Sequence, residues 1–173
     1  YPTAVLITNG KSDGKQSKNN SSLKSRYRLM WMDAVYEPGE VKVVAYNKDG
    51  KAVAEKTVRT AGKPHHIELV SNRNELTADG KDLAYVTVKV VDKDGNLCPT
   101  DSRLIHFSVK GAGKFRAVAN GDPTNLEQFH LPKMHAFHGM LTAIVQAGEI
   151  AGDLVLTAKA SGVKTGTVHL QAK

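Results

Sequence analysis

The sequence predicts an all-β protein, on three observations. Along Leu83–Val91, Tyr85, Thr87 and Lys89 alternate with Val86, Val88 and Val90. That period of two marks a strand with one buried face and one exposed face. Turn dipeptides recur roughly every ten residues, among them Asn9-Gly10, Asp13-Gly14, Asp49-Gly50 and Asp94-Gly95. Finally, no stretch longer than about ten residues keeps an apolar 3.6 period free of Gly, Pro or β-branched interruption. The alternating helices of an α/β barrel or a nucleotide-binding sheet are therefore missing from the pattern.

The elements follow in order. Ala4–Thr8 is a short apolar strand, followed by turn signals and a polar stretch to Lys24 that reads as a solvated loop. Tyr27–Met32 reads as the next strand. In Glu40–Asn47, Val41, Val43 and Ala45 alternate with Lys42, Val44 and Tyr46. Lys51–Thr60 is its partner across Asp49-Gly50, because Asp and Gly tolerate the positive φ of a tight hairpin turn. Ala61-Gly62-Lys63-Pro64 reads as a linker. Strands resume at His66–Val70 and Leu83–Val91, the latter closed by Asp94-Gly95-Asn96. Leu104–Lys110, Lys114–Ala119, Ala136–Ala147, Leu154–Ala160 and Thr165–Ala172 complete the series. Val86, Val88 and Val90 are expected in a core, with Lys89 outside.

These spacings imply two β-sandwich domains in tandem, residues 1–62 and 63–173. The second is close to the roughly 100 residues of an immunoglobulin-like sandwich. The first, at about 60 residues, is small for a core of its own. It reads as a domain truncated at its N-terminus or one that relies on its neighbour.

Composition narrows the function classes. With 40% hydrophobic residues the chain carries enough apolar material for folded cores. No run approaches the roughly 18 apolar residues of a membrane span. There is no starting Met and no signal-peptide pattern, so the chain reads as a fragment of a longer protein. The single cysteine, Cys98, excludes an internal disulfide and reads as a small apolar filler. The net charge of +7 draws on Lys11, Lys15, Lys18, Lys24, Arg26 and Arg28. These lie among Ser, Asn and Gly without the interleaved aromatics that stack bases, so nucleic acid is not an expected partner.

Several motifs resemble a known family. Asn9-Gly10-Lys11-Ser12, Arg28-Leu29-Met30-Trp31, Tyr36-Glu37-Pro38-Gly39-Glu40, Val44-Ala45-Tyr46 and Thr57–Pro64 resemble the C-terminal immunoglobulin-like region of bacterial family 2 glycoside hydrolases, the β-galactosidase-type enzymes of Bacteroidetes. Leu76–Ala84, Val90–Asn96 and Asn120–Thr124 resemble the last domain of those enzymes. Leu76–Asn96 also looks like the immunoglobulin-like repeats of adhesins. The tract after Trp31 departs from the family pattern, with Met32-Asp33-Ala34-Val35 before Tyr36.

The resemblance implies a non-catalytic accessory region that packs against or spaces the catalytic domains of a parent chain. It also implies a periplasmic or otherwise extracytoplasmic location as part of that parent. The competing reading is a stand-alone carbohydrate-binding or adhesin-type module.

The family's chemistry uses two glutamates on a (β/α)₈ barrel of roughly 250 residues, with carboxyls about 5 Å apart. This chain is too short for such a barrel. Glu37 and Glu40 flank Pro38-Gly39 in an expected exposed turn, so no catalytic residue is assigned. Trp31 and Tyr36 are candidate sugar-stacking or interdomain residues, with core packing as the competing reading; Tyr46 is weighed the same way. Asn120 and Asp122 are candidate acceptors for sugar hydroxyls or contacts to the parent's body; a fixed turn is the alternative. His130, His135 and His138, with Glu127, match no metal-ligand spacing, and no metal or other cofactor is expected.

Overall fold

The structure, a computed structural model, describes residues 1–173. The chain divides into two compact units, Tyr1–Thr60 and Ala61–Lys173.

In the first unit, β1 (Thr3–Thr8), β2 (Lys11–Ser17), β3 (Glu40–Tyr46) and β4 (Ala52–Arg59) form one antiparallel sheet in the order β2-β1-β3-β4. The stretch expected to be a loop is therefore partly a strand. Asn9 and Gly10 both have positive φ, at 49° and 81°, and Thr8 pairs with Lys11 across them. That two-residue turn turns the chain back along β1. The resulting edge strand is polar and exposed along its whole length, which guards an open sheet edge against further pairing.

Tyr27–Met32 is not a strand. A one-turn helix, α1 (Leu23–Tyr27), precedes it, capped by Ser22, whose hydroxyl accepts from the Ser25 amide while the Ser25 side chain accepts from the Ser22 amide. Those local bonds meet the backbone's needs, and no neighbouring strand offers a ladder. The β3–β4 hairpin is as expected. Asn47 Oδ1 accepts the amides of Asp49 at 3.0 Å and Lys51 at 2.9 Å, which fixes its turn.

Asn9 and the Tyr36–Glu40 tract meet in the fold. Asn9 Oδ1 accepts the Glu40 amide at 2.7 Å, and Asn9 Nδ2 donates to the Pro38 carbonyl at 3.2 Å. Only Ala4 and Leu6 are buried apolar residues in this unit.

The second unit has two sheets. One has the order β10-β8-β12-β13-β6, formed by Lys133–His135, Leu104–Gly111, Gly152–Lys159, Gly166–Ala172 and Glu75–Leu76. The other has the order β5-β7-β11-β9, formed by His66–Ser71, Leu83–Val91, Met140–Ala147 and Gly113–Ala119. All pairings are antiparallel except β13 with β6. Residues 136–139, read as strand from the sequence, lie before β11, where His138 and Gly139 both take positive φ.

Between these sheets lies one core. Val86, Val88, Val90, Leu141, Ala143 and Val145 from one sheet meet Ile105, Phe107, Leu154, Leu156 and Leu170 from the other. Lys89 sits on the opposite face, where it pairs with Glu68 at 3.2 Å. Cys98 is buried in the same core, and burial pushes its thiol up from the ordinary value. The all-β class holds throughout the chain. Two packed layers are present in the second unit, and the first has one sheet.

Candidate functional site

The four residues singled out from the sequence fall in different units. In the first unit, the Trp31 indole N–H donates to the Gly14 carbonyl at 2.9 Å, and the ring is half-buried. That bond links Trp31 to β2. Tyr36 is 72% exposed, with its hydroxyl 3.1 Å from Thr60 Oγ1. Thr60 Oγ1 also accepts the Gly39 amide at 3.0 Å, so it joins the Tyr36–Glu40 tract to the end of β4. Tyr46 is half-buried in β3. The two candidate aromatics take separate partners.

In the second unit, Asn120 and Asp122 do come together. The Asp122 amide donates to Asn120 Oδ1 at 3.1 Å, and Asn120 Nδ2 donates to the His135 carbonyl at 3.0 Å. Asp122 Oδ1 accepts both the amide and the hydroxyl of Thr124, at 2.8 and 2.7 Å. The Thr124 amide is the main reason that the Asp122 carboxyl lies below its ordinary range, helped by the Thr124 hydroxyl and by His138. Both side chains have thus spent acceptors and donors on fixing the loop.

The histidines scatter. Glu127 Oε1 faces His135 Nδ1 at 3.1 Å, and Glu127 Oε2 accepts the His135 amide at 3.1 Å. His138 Nδ1 lies 3.3 Å from the Pro99 carbonyl. No three His, Cys, Asp or Glu side chains converge to hold a metal ion. Glu40 is ion-paired with Arg59 at 2.6 Å, while Glu37 is exposed.

A different place has the shape of a site. On the outer face of the β5-β7-β11-β9 sheet, an open groove of about 610 Å³ is floored by Leu83, Ala117 and Ile144. Arg116 and the segment Leu126–His130 also line it. That segment is held beside β9 by the Val118 amide, which donates to the Phe129 carbonyl at 2.8 Å.

A β-bulge sets the position of Arg116. Ile144 pairs with Ala117 and Val145 with Phe115, so Arg116 is the extra residue. Simple alternation from buried Val118 would turn Arg116 inward and Phe115 outward. The bulge reverses this: Arg116 is exposed, and Phe115 packs against the core, its ring stacked on Phe107 at 5.9 Å. Sequence reasoning missed this groove. Its available signal was the pair of apolar residues, Leu126 and Phe129, within the otherwise polar stretch 124–130.

A family profile described as "Glycoside hydrolase family 2 C-terminal domain 5" matches residues 67–169, more than half of the chain. A second, "Domain of unknown function (DUF4982)", matches residues 1–54. The chain is 42% identical over 168 residues to beta-galactosidase BoGH2A of Bacteroides ovatus, covering 97% of this chain and 19% of that protein. Among solved structures, a glycosyl hydrolase family 2 member from Bacteroides cellulosilyticus superposes with a TM-score of 0.85 at 32% identity, covering 99% of this chain and 22% of that one. A beta-glycosidase from Bacteroides vulgatus gives a TM-score of 0.89 at 25% identity, covering 99% and 21%. The chain thus spans about a fifth of the length of these relatives.

Proposed function

Because the chain belongs to the family of glycoside hydrolase family 2 C-terminal domains, we propose that it is a non-catalytic accessory region of a β-galactosidase-type glycoside hydrolase, which packs against or spaces the catalytic domains of its parent chain. The observation that carries this reading is the match of residues 67–169 to that family on a two-sheet sandwich. Retaining hydrolysis needs a carboxyl pair about 5 Å apart, one protonated and one ionised, in a site that sets their pKa values apart. Here Glu40 is committed to Arg59, and Glu37 is exposed. Both arrangements support a role without bond-breaking chemistry. The parent's location is proposed as periplasmic or otherwise extracytoplasmic. No helix of the chain is long and apolar enough to cross a membrane.

The purified chain tests this directly. It is expected to show no turnover of aryl β-galactosides or of related aryl glycosides. Turnover that survives repurification and disappears in Glu37→Gln or Glu40→Gln would overturn the reading. In the parent enzyme, deletion of this region is expected to lower thermal stability, through exposure of apolar surface worth about 25 cal/mol per Å².

A further inference from the structure

We propose that the groove between Arg116 and the Leu126–His130 segment binds an acidic oligosaccharide, with a uronate carboxylate on Arg116 and a sugar ring face on Phe129. The proposal is independent of the packing role above.

Five observations carry it. The groove's volume, about 610 Å³, lies within the roughly 300–1,000 Å³ of small-molecule sites, and its open form admits a chain rather than a single enclosed sugar. Its lining combines the two chemistries a saccharide needs. Leu83, Ala117, Ile144 and Phe129 offer apolar surface to pyranose C–H faces, while Arg116, Gln128 and His130 offer hydrogen bonds to hydroxyls and carboxylates. Phe129 is 56% exposed and Leu126 is 96% exposed, so apolar surface is presented to an occupant.

Charge selects the occupant. Arg116 and His130 take part in none of the protein's ion pairs. The one acid on the lining, Glu127, has both oxygens on His135. A guanidinium fork without a protein carboxylate matches a ligand carboxylate in two parallel hydrogen bonds.

Placement is the last observation. Arg116 reaches the groove only through the β-bulge, a device that re-aims side chains beside sites. The wall belongs to the irregular stretch 120–132 between β9 and β10, at the roughly 12–15 residues beyond which such connections are uncommon. A rigid sheet with a long loop is a common platform for binding.

The test titrates trigalacturonate, a glucuronate trimer and a mannuronate trimer into the 173-residue chain, with neutral β-1,4-galactotriose and polyglutamate as controls. Calorimetry gives affinity and amide NMR shifts give location. At least one acidic trimer is expected to bind and to shift Ala117 and Gln128–His130. The neutral trimer is expected to bind about tenfold more weakly, the worth of one charge-assisted hydrogen bond. Arg116→Ala and Phe129→Ala should each weaken binding by about tenfold or more, with Arg116→Lys intermediate because it keeps charge without the fork. Both side chains are exposed, so unfolding midpoints should stay unchanged in these variants.

Binding by none of the trimers overturns the proposal, as does affinity untouched by the Arg116 and Phe129 variants. Equal binding of polyglutamate overturns it in favour of unspecific charge. Self-association abolished by Leu126→Asp overturns it in favour of a protein interface.

Discussion

Asp92 holds Gly62 in place: its Oδ2 accepts the Gly62 amide at 2.8 Å, although the two residues are far apart in sequence. Asp92 is the one buried charged or polar residue of the chain, 2% exposed. Its Oδ1 also accepts the amides of Asp94 at 2.9 Å and Asn96 at 2.8 Å, and Asn96 Nδ2 donates to Oδ2 at 3.0 Å. One carboxylate thus ties the first residues of the second unit to the turn that closes β7.

That arrangement makes stability depend on acid. The Gly62 amide first, and then the Asn96 side chain, push the Asp92 carboxyl well below its ordinary range. A carboxyl with a lower folded than unfolded pKa binds fewer protons when folded. Its stabilisation is therefore present above the unfolded value of about 3.9 and is lost as pH falls through the folded value. Asp92→Asn is expected to lower the thermal midpoint at neutral pH and to narrow the gap to wild type as pH falls below about 4. Calorimetry across that range checks it; a mutant gap that widens toward acid would refute the assignment.

The division after Gly62 is a proposal about independent folding. Residues 61–173 are expected to unfold cooperatively by themselves, because the two-sheet core cluster lies entirely within them. Residues 63–173 should fold with a lower midpoint, because the Gly62 amide is then missing from Asp92. Residues 1–60, with only Ala4 and Leu6 as buried apolar residues, should show no cooperative transition alone. Urea denaturation of the three fragments decides this.

Gly39→Ala should damage the first unit. Gly39 has φ of +138°, and a Cβ there would overlap the Asn9 side chain that holds Pro38 and Glu40. The expected cost is about 1–3 kcal/mol. Gly50→Ala is the control, since its Cβ meets nothing within 4 Å and only the positive φ of +77° opposes it. That penalty is about 1–2 kcal/mol. A Gly50 variant that costs more than the Gly39 variant would remove the steric argument.

Leu156→Ala should destabilise the second unit by about 2–5 kcal/mol, since Leu156 is fully buried between the sheets. Val70→Ala, on an exposed position of β5, should change stability by about 0.5 kcal/mol or less. Chemical denaturation of both variants measures the difference.

The sequence by itself determined the features that depend on local pattern. Alternation in Leu83–Val91 identified the buried valines, because a strand's side chains must alternate between faces. The Asp49-Gly50 turn located the β3–β4 hairpin, because few residues accept its backbone angles. Motif resemblance identified the family. Tertiary structure decided what depends on partners. Lys11–Ser17 is polar and looked like a loop; it is a strand because β1 lies beside it to accept its ladder. Tyr27–Met32 looked like a strand and has no such neighbour, so local Ser22–Ser25 bonds prevailed in the segment before it. Asn120 and Asp122 were visible as a loop, but only the fold shows them bonded to each other and to Thr124. The groove was invisible because its parts come from β7, β11, β9 and the loop after β9, and because a single-residue bulge, which no periodicity announces, turns Arg116 outward.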